Sequence, residues 1–192
     1  MKNTLPPKQI ARDLIASLEI DDFLSDPETT ADRVSKMYAE VFSGIKVDPS
    51  RLFEHLIPLA DESGDAHQIV ILSAIPFFSM CEHHFLPFYG YVDICFVPDK
   101  NIIGLGKLTE LVQIISRRPQ LQEKMIVQLA EIINKNLAPL GAGIHIIGKH
   151  LCETMRGVHE DHQIFTTIKY QGVLNNEPSY RDSFVATFTT QI

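Results

Sequence analysis

FYGYVDICFVPDKNIIGLGKLTELVQIISRRPQLQEKMIVQLAEIINKNLAPLGAGIHIIGKH, residues 88–150, changes its apolar period twice, and those changes decide the fold. Phe88 to Val97 is dense in aromatic and β-branched residues and stops at Pro98, Asp99 and Asn101, which predicts a strand followed by a turn. Lys107 to Arg117 then sets Leu108, Leu111, Val112 and Ile115 at helical spacing. Gln120 to Leu137 does the same with Leu121, Met125, Leu129, Ile132 and Ile133, and Pro119 separates the two helices. Gly141 to His150 returns to a strand pattern. Outward from this block, His67 to Ile75 predicts a preceding strand, Gln163 to Tyr170 a following one, and Pro178 to Thr190 a closing helix. The order ββααββ predicts an α+β domain, an antiparallel sheet with two helices on one face. Such a sheet has free edges, which favours oligomerisation.

The N-terminal part reads as a helical extension. Gln9 to Ile20 places Ile10, Leu14, Ile15 and Leu18 on one helical face, and Thr29 to Ser43 repeats the pattern with Val34, Met37, Tyr38, Val41 and Phe42. Between them Pro27 precedes Thr29 and Thr30, either of which can cap the second helix. The expected division is an N-terminal helical region over residues 1–60 and a main domain over residues 61–192.

Composition narrows the function. A chain of 192 residues, 45% hydrophobic and 21% charged, can bury a full core. Its formal net charge of -7 argues against nucleic acid or an anionic membrane surface as a partner. The first residues carry no signal-peptide pattern and no apolar run suits a membrane span, so a cytoplasmic location is expected. Three cysteines in such a chain are expected to be reduced thiols, free to bind metal.

The chemistry concentrates in Ser79-Met80-Cys81-Glu82-His83-His84 and His150-Leu151-Cys152. A Cys and a His three residues apart can converge on one ion if they lie one helical turn apart. A buried thiol beside a hydrogen-bonded imidazole is the alternative for that pair alone, so a third ligand is needed. Cys152 supplies it: if the strand ending at His150 continued, period-two alternation would turn His150 and Cys152 to one face. Cys81, His84 and Cys152 would leave the fourth zinc position for water, as catalytic sites do. Cys95 alternates within an apolar strand and reads as a core residue.

Several ordered motifs are similar to those of the GTP cyclohydrolase I family from about Ala31 to Val173. They are Asp32-Arg33-Val34-Ser35-Lys36-Met37-Tyr38 with Phe42-Ser43-Gly44, Cys81-Glu82-His83-His84, Gly104-Leu105-Gly106-Lys107-Leu108, Arg118-Pro119-Gln120-Leu121-Gln122-Glu123, and His150-Leu151-Cys152 with Met155-Arg156-Gly157. The resemblance implies a T-fold (tunnelling fold) subunit, a toroidal homodecamer with active sites between subunits, and zinc as cofactor. It implies hydrolytic opening of the guanine imidazole ring of GTP, with formate and 7,8-dihydroneopterin triphosphate as products. It further implies that Cys81, His84 and Cys152 hold the metal, that His150 shuttles a proton at the imidazole ring, and that His83 assists nearer the ribose. Gln122 and Glu123 would read guanine, a carboxylate accepting from N1–H and the exocyclic amine together. Lys107 and Arg156 would hold the triphosphate.

Some positions depart from the family pattern. Gly106 stands where the family usually has Ser, and Glu110 where it has Arg, so a carboxylate replaces a phosphate-binding cation. Gln163-Ile164-Phe165 replaces a polar, cationic stretch. His159, Asp161 and His162 read as a polar loop. These changes leave two alternatives beside GTP opening: a member acting on a related purine nucleotide with fewer phosphates, and a non-catalytic pterin-binding or assembly paralogue. Retention of Cys81, His84, Cys152, His83 and His150 together counts against the last.

Overall fold

The computed structural model describes residues 6–59, 68–156 and 163–188. The chain divides into two compact units, Met1–Ser43 and Gly44–Ile192.

The first unit pairs helix α1 (Pro7–Ser17) with helix α2 (Pro27–Val41) around Ala11, Ile15 and Ala31. Asp26, rather than Thr29 or Thr30, caps α2: its carboxylate accepts from the backbone N–H of Glu28 at 3.0 Å and of Thr29 at 3.1 Å. Pro27 then occupies the first helical turn, where its missing N–H costs nothing. Helix α1 ends at Ser17 instead of Ile20, because Glu19 takes a left-handed φ of 55°.

The second unit contains, in chain order, β1 (Ile57–Pro58), β2 (Val70–Cys81), β3 (Pro87–Val97), β4 (Asn101–Ile102), α3 (Leu105–Ser116), β5 (Pro119–Gln120), α4 (Gln122–Leu137), β6 (Gly141–His150), α5 (Leu151–Thr154), β7 (Phe165–Gly172), α6 (Val173–Asn176) and α7 (Pro178–Val185). Short 3₁₀ turns at Ser43–Lys46 and Pro49–Phe53 precede β1. The unit is α+β: a five-stranded sheet ordered β5-β2-β3-β6-β7, antiparallel except for the β2–β5 pair, with a separate β1–β4 pair. The division expected at residue 60 differs from the observed one, because Leu52 and Phe53 are buried in the core of the sheet unit. His67 lies outside the described residues.

Alternation along β3 builds two cores. Phe88, Val92, Ile94 and Phe96 face the layer that holds Leu108, Leu111, Val112 and Ile115 of α3 and Met125, Leu129 and Ile133 of α4. Cys95 and Val97 point the other way and meet Leu174 and Phe184 of α6 and α7. The C-terminal half of β3 is therefore buried on both faces, which explains why its sequence reads as a continuous apolar run. Cys95 is fully buried, and that burial pushes its thiol up to about 12, in keeping with a core role.

Strand β2 runs past the expected stop at Ile75. Pro76 is tolerated because β2 is an edge there: β5 pairs only with Met80 and Cys81, so no neighbour needs the missing N–H. A bulge between Leu72 and Ile75, with Ala74 at φ 58°, re-aims the strand. β7 runs from Phe165 to Gly172, and α7 ends at Val185, ahead of Thr189 and Thr190, which lie outside the described residues. No helix among the described residues is long and apolar enough to cross a membrane.

Candidate metal centre and cavity

Cys81 is the last residue of β2, and its neighbours in space fix the turn that follows. Its N–H donates to Leu86 O at 2.9 Å and its C=O accepts from Phe85 N at 2.9 Å. Phe85 sits at φ 52°, so the chain reverses within residues 82–85. Glu82 N donates to Gln120 O at 3.0 Å, and the Glu82 carboxylate receives Lys124 Nζ at 2.6 and 2.8 Å. The turn is thus tied to β5 and to the first turn of α4. It brings His84 Nδ1 to 3.9 Å from Cys81 Sγ. The convergence comes from a tight turn at a strand end, whereas the spacing argument assumed a helical turn.

Cys152 arrives by a different route from the one expected. β6 stops at His150, and Cys152 lies on the one-turn helix α5, so period-two alternation does not apply. The turn nevertheless keeps both residues on one cavity wall. The ligand atoms of Cys81, His84 and Cys152 all lie within 4.8 Å of one another. A tetrahedral site with zinc–sulfur bonds of about 2.3 Å has edges of roughly 3.8 Å, so small rotamer adjustments close the cluster on one ion. Two thiols and an imidazole are a donor set that suits zinc and disfavours magnesium or calcium. In the metal-free protein the Cys152 thiol is pushed up to about 11, chiefly by burial and then by the adjacent Cys81.

The cluster opens into a cavity of about 510 Å³ whose wall includes His83, Gln122, Glu123, His150, Glu153, Phe165, Thr166 and Thr167. His83 and His84 are exposed, with ring centroids 6.1 Å apart and planes near perpendicular. Glu123 is exposed in the first turn of α4. His150 stacks on Phe88, at 4.6 Å between centroids and 9° between planes, and meets the edge of Phe165 at 4.9 Å. Burial pulls His150 below the ordinary imidazole value, against an opposing pull from the Glu123 and Glu153 carboxylates.

Gln122 is only 2% exposed, and its amide is engaged within the fold. Lys107 and Arg156 are exposed and stand apart from this cavity wall. Lys107 Nζ donates to Glu110 Oε2 at 3.1 Å, so the carboxylate that departs from the family pattern is paired with the matching cation. His159, Asp161 and His162 lie outside the described residues. Sequence reasoning missed Phe88, Phe165, Glu153 and the Lys124–Glu82 bridge. Lys124 directly follows Glu123, but nothing in the sequence couples it to a residue 42 positions away.

Fold and site together define a class: an α+β protein whose cavity carries a Cys/His/Cys group able to hold a metal ion beside further imidazoles and a carboxylate. The family model described as GTP cyclohydrolase I matches residues 8–189, and the chain belongs to that family. It is 39% identical over 178 residues to GTP cyclohydrolase 1 of Rickettsia massiliae (strain Mtu5), covering 93% of this chain and 92% of that one. It is 41% identical over 156 residues to GTP cyclohydrolase 1 of Rickettsia africae (strain ESF-5), covering 81% and 80%. Among solved structures, the apo archaeosine synthase QueF-Like matches 56% of this chain and 97% of its own, with a TM-score of 0.44 and 14% identity, a likeness too slight to argue from.

Proposed function

We propose that this protein is a zinc-dependent GTP cyclohydrolase I, opening the guanine imidazole ring of GTP with release of formate and formation of 7,8-dihydroneopterin triphosphate. The observation that carries the reading is the convergence of Cys81, His84 and Cys152 in a cavity that also presents His83, His150 and Glu123. Family membership supports the same substrate.

Cys81, His84 and Cys152 would hold zinc, which would supply the Lewis acidity for hydrolysis near neutral pH. The protein's own residues do the rest. Glu123 accepts from the N1–H and exocyclic amine of guanine, a pairing adenine does not offer, and so orients the base. His150 moves a proton at the imidazole ring nitrogens, because water adds at C8 only if that ring gains a proton. His83, exposed toward the cavity, serves the ribose side. The T-fold reading, with a homodecamer and active sites between subunits, brings Lys107 and Arg156 to the triphosphate at an interface.

A second reading is favoured by the Lys107–Glu110 pair: the cation is already matched, so the site suits a purine nucleotide with fewer phosphates. The discriminating experiment incubates zinc-loaded protein separately with GTP, GDP, GMP and guanosine, following formate release and pterin fluorescence. Preferential GTP turnover is expected. Faster turnover with fewer phosphates supports the second reading, and no turnover at full zinc occupancy rejects both in favour of a non-catalytic paralogue.

Glu110→Arg tests the same point from the other side. The substitution frees Lys107 and replaces an anion by a cation, so GTP should bind about fivefold more tightly, the scale of an exposed charge contact. The gain should shrink at high salt. Equilibrium binding of a non-hydrolysed GTP analogue measures it, and unchanged or weaker binding rejects this account of the position.

A further inference from the structure

Gln122 is buried against the ring of His150, and every polar atom of its side chain has an assigned direction. Its amide nitrogen lies 3.2 Å from Ile146 O and 3.1 Å from Phe165 O, with Thr167 Oγ1 at 3.3 Å. The first two are backbone carbonyls, which only accept, so that end of the amide must be the NH₂ group. The other end, Oε1, therefore faces His150 Nε2, at 3.1 Å. An amide oxygen only accepts as well, so the contact is a hydrogen bond only when Nε2 carries a proton. Reversing the amide would set its oxygen against two carbonyl oxygens, a double repulsion in a buried place.

The surrounding packing removes the alternatives. Phe88 covers one face of the imidazole and Phe165 meets it edge-on, which fixes the plane of the ring; a half-turn within that plane would set Cε1 in the place of Nε2 and lose the contact with Gln122. Gly148 lies beneath the glutamine: a Cβ there would stand 2.7 Å from Gln122 Oε1 and would push the amide oxygen from the position in which it meets the imidazole. Among the described residues, Nδ1 of His150 has no hydrogen-bond partner, which leaves it as the available nitrogen on a ring that lines the cavity.

We infer that Gln122 is a positioning residue that locks His150 in its Nε2–H tautomer, so that all proton exchange with the substrate runs through Nδ1. This rests on the reading that His150 serves ring opening. Neutral His150 presents the Nδ1 lone pair, which takes the proton that water sheds as it adds to C8. The resulting Nδ1–H gives that proton to a ring nitrogen of the purine, and the imidazole returns to its starting form while Nε2–H stays on Gln122 throughout. One nitrogen both accepts and donates, and neither the ring nor the amide has to turn. The glutamine that the family resemblance assigned to base reading instead acts through His150, leaving guanine to Glu123.

The test is solid-state nitrogen NMR on protein labelled with ring-¹⁵N histidine, with and without zinc, His150 being assigned by difference from His150→Asn. Expected at neutral pH is a protonated Nε2 and an unprotonated Nδ1 for His150 in the wild-type protein. The opposite tautomer, or an even mixture, overturns the inference, and this readout needs neither substrate nor turnover. In the second arm, Gln122→Met keeps the bulk and removes the acceptor. It should give a mixed tautomer and a kcat lower by roughly 10- to 100-fold with KM within about twofold, the cost of a mis-set catalytic group. A raised KM with unchanged kcat would instead make Gln122 a base reader and overturn the positioning role. The expected tautomer in a protein that turns over none of the nucleotides would support the locked ring and sink only the proposed reaction. Should Gln122→Met fail to fold, the wild-type spectrum alone decides.

Discussion

Cys152→Ser should strip the protein of tightly held zinc and, with it, of turnover. Binding free energies of about 10–16 kcal/mol for four-ligand zinc sites amount to about 2.5–4 kcal/mol per ligand, so losing one thiolate weakens the metal by roughly 10²- to 10³-fold. Competition with a chromophoric chelator measures the loss directly. The fold should survive, because Cys152 is half-buried on a one-turn helix at the margin of the core. Circular dichroism should therefore be unchanged, and excess zinc should restore part of the activity. The wild-type affinity should also depend steeply on pH. Cys152 holds its proton up to about 11 in the metal-free protein. Zinc must displace that proton, so each thiol proton released adds about tenfold in apparent affinity per pH unit as pH rises toward the thiol pKa, and acid expels the metal. Full zinc retention by Cys152→Ser, or an affinity independent of pH between 6 and 8, would remove Cys152 from the ligand set.

The parts of this molecule that could be read from its sequence are those set by local pattern. β6 occupies Gly141–His150, the span its β-branched run predicts, because glycines and a proline bound it on one side and it is central in the sheet. α4 keeps its predicted end at Leu137, where Ala138 turns left-handed at φ 49°. What could not be read depends on neighbours distant in the chain. Pro76 stops a central strand but not an edge, and sequence does not say that β5 reaches only Met80 and Cys81. Pro119 and Gln120 belong to a strand and not to α4, because they pair with Met80 and Cys81. The ligands were legible as residues and illegible as geometry: a turn pinned by Gln120 O and Lys124, and a one-turn helix, bring them together. Gln122 shows the limit most clearly. Helical periodicity and motif position both give it a plausible face, yet its direction is decided by Ile146, Phe165 and Gly148, residues on two strands that the chain reaches later.

His150→Asn should lower kcat by about 10²- to 10⁴-fold, the contribution of a well-placed general acid–base group, while leaving zinc stoichiometry intact. Asparagine ends near the place of Nδ1 and does not reach Gln122 Oε1, but that oxygen lies on the cavity wall, where water can take the place of Nε2–H, so the fold should survive, which circular dichroism checks. The sharper result is in the combination. If Gln122 acts only through the imidazole, adding Gln122→Met to His150→Asn should cost almost nothing further, although Gln122→Met alone is expected to cost roughly 10- to 100-fold. Residues in direct contact that serve one step are coupled in this way, whereas independent groups multiply their effects. Free His150 sits below the ordinary imidazole value, so its neutral, Nε2–H form prevails at neutral pH and is the form that meets the substrate. As pH falls through that lowered pKa, Nδ1 gains a proton before water can supply one, and kcat/KM should drop on the acid side. That acid limb should be absent from His150→Asn. Strictly multiplicative losses in the double variant, or an acid limb that survives the loss of the imidazole, would show that His150 and Gln122 serve separate steps.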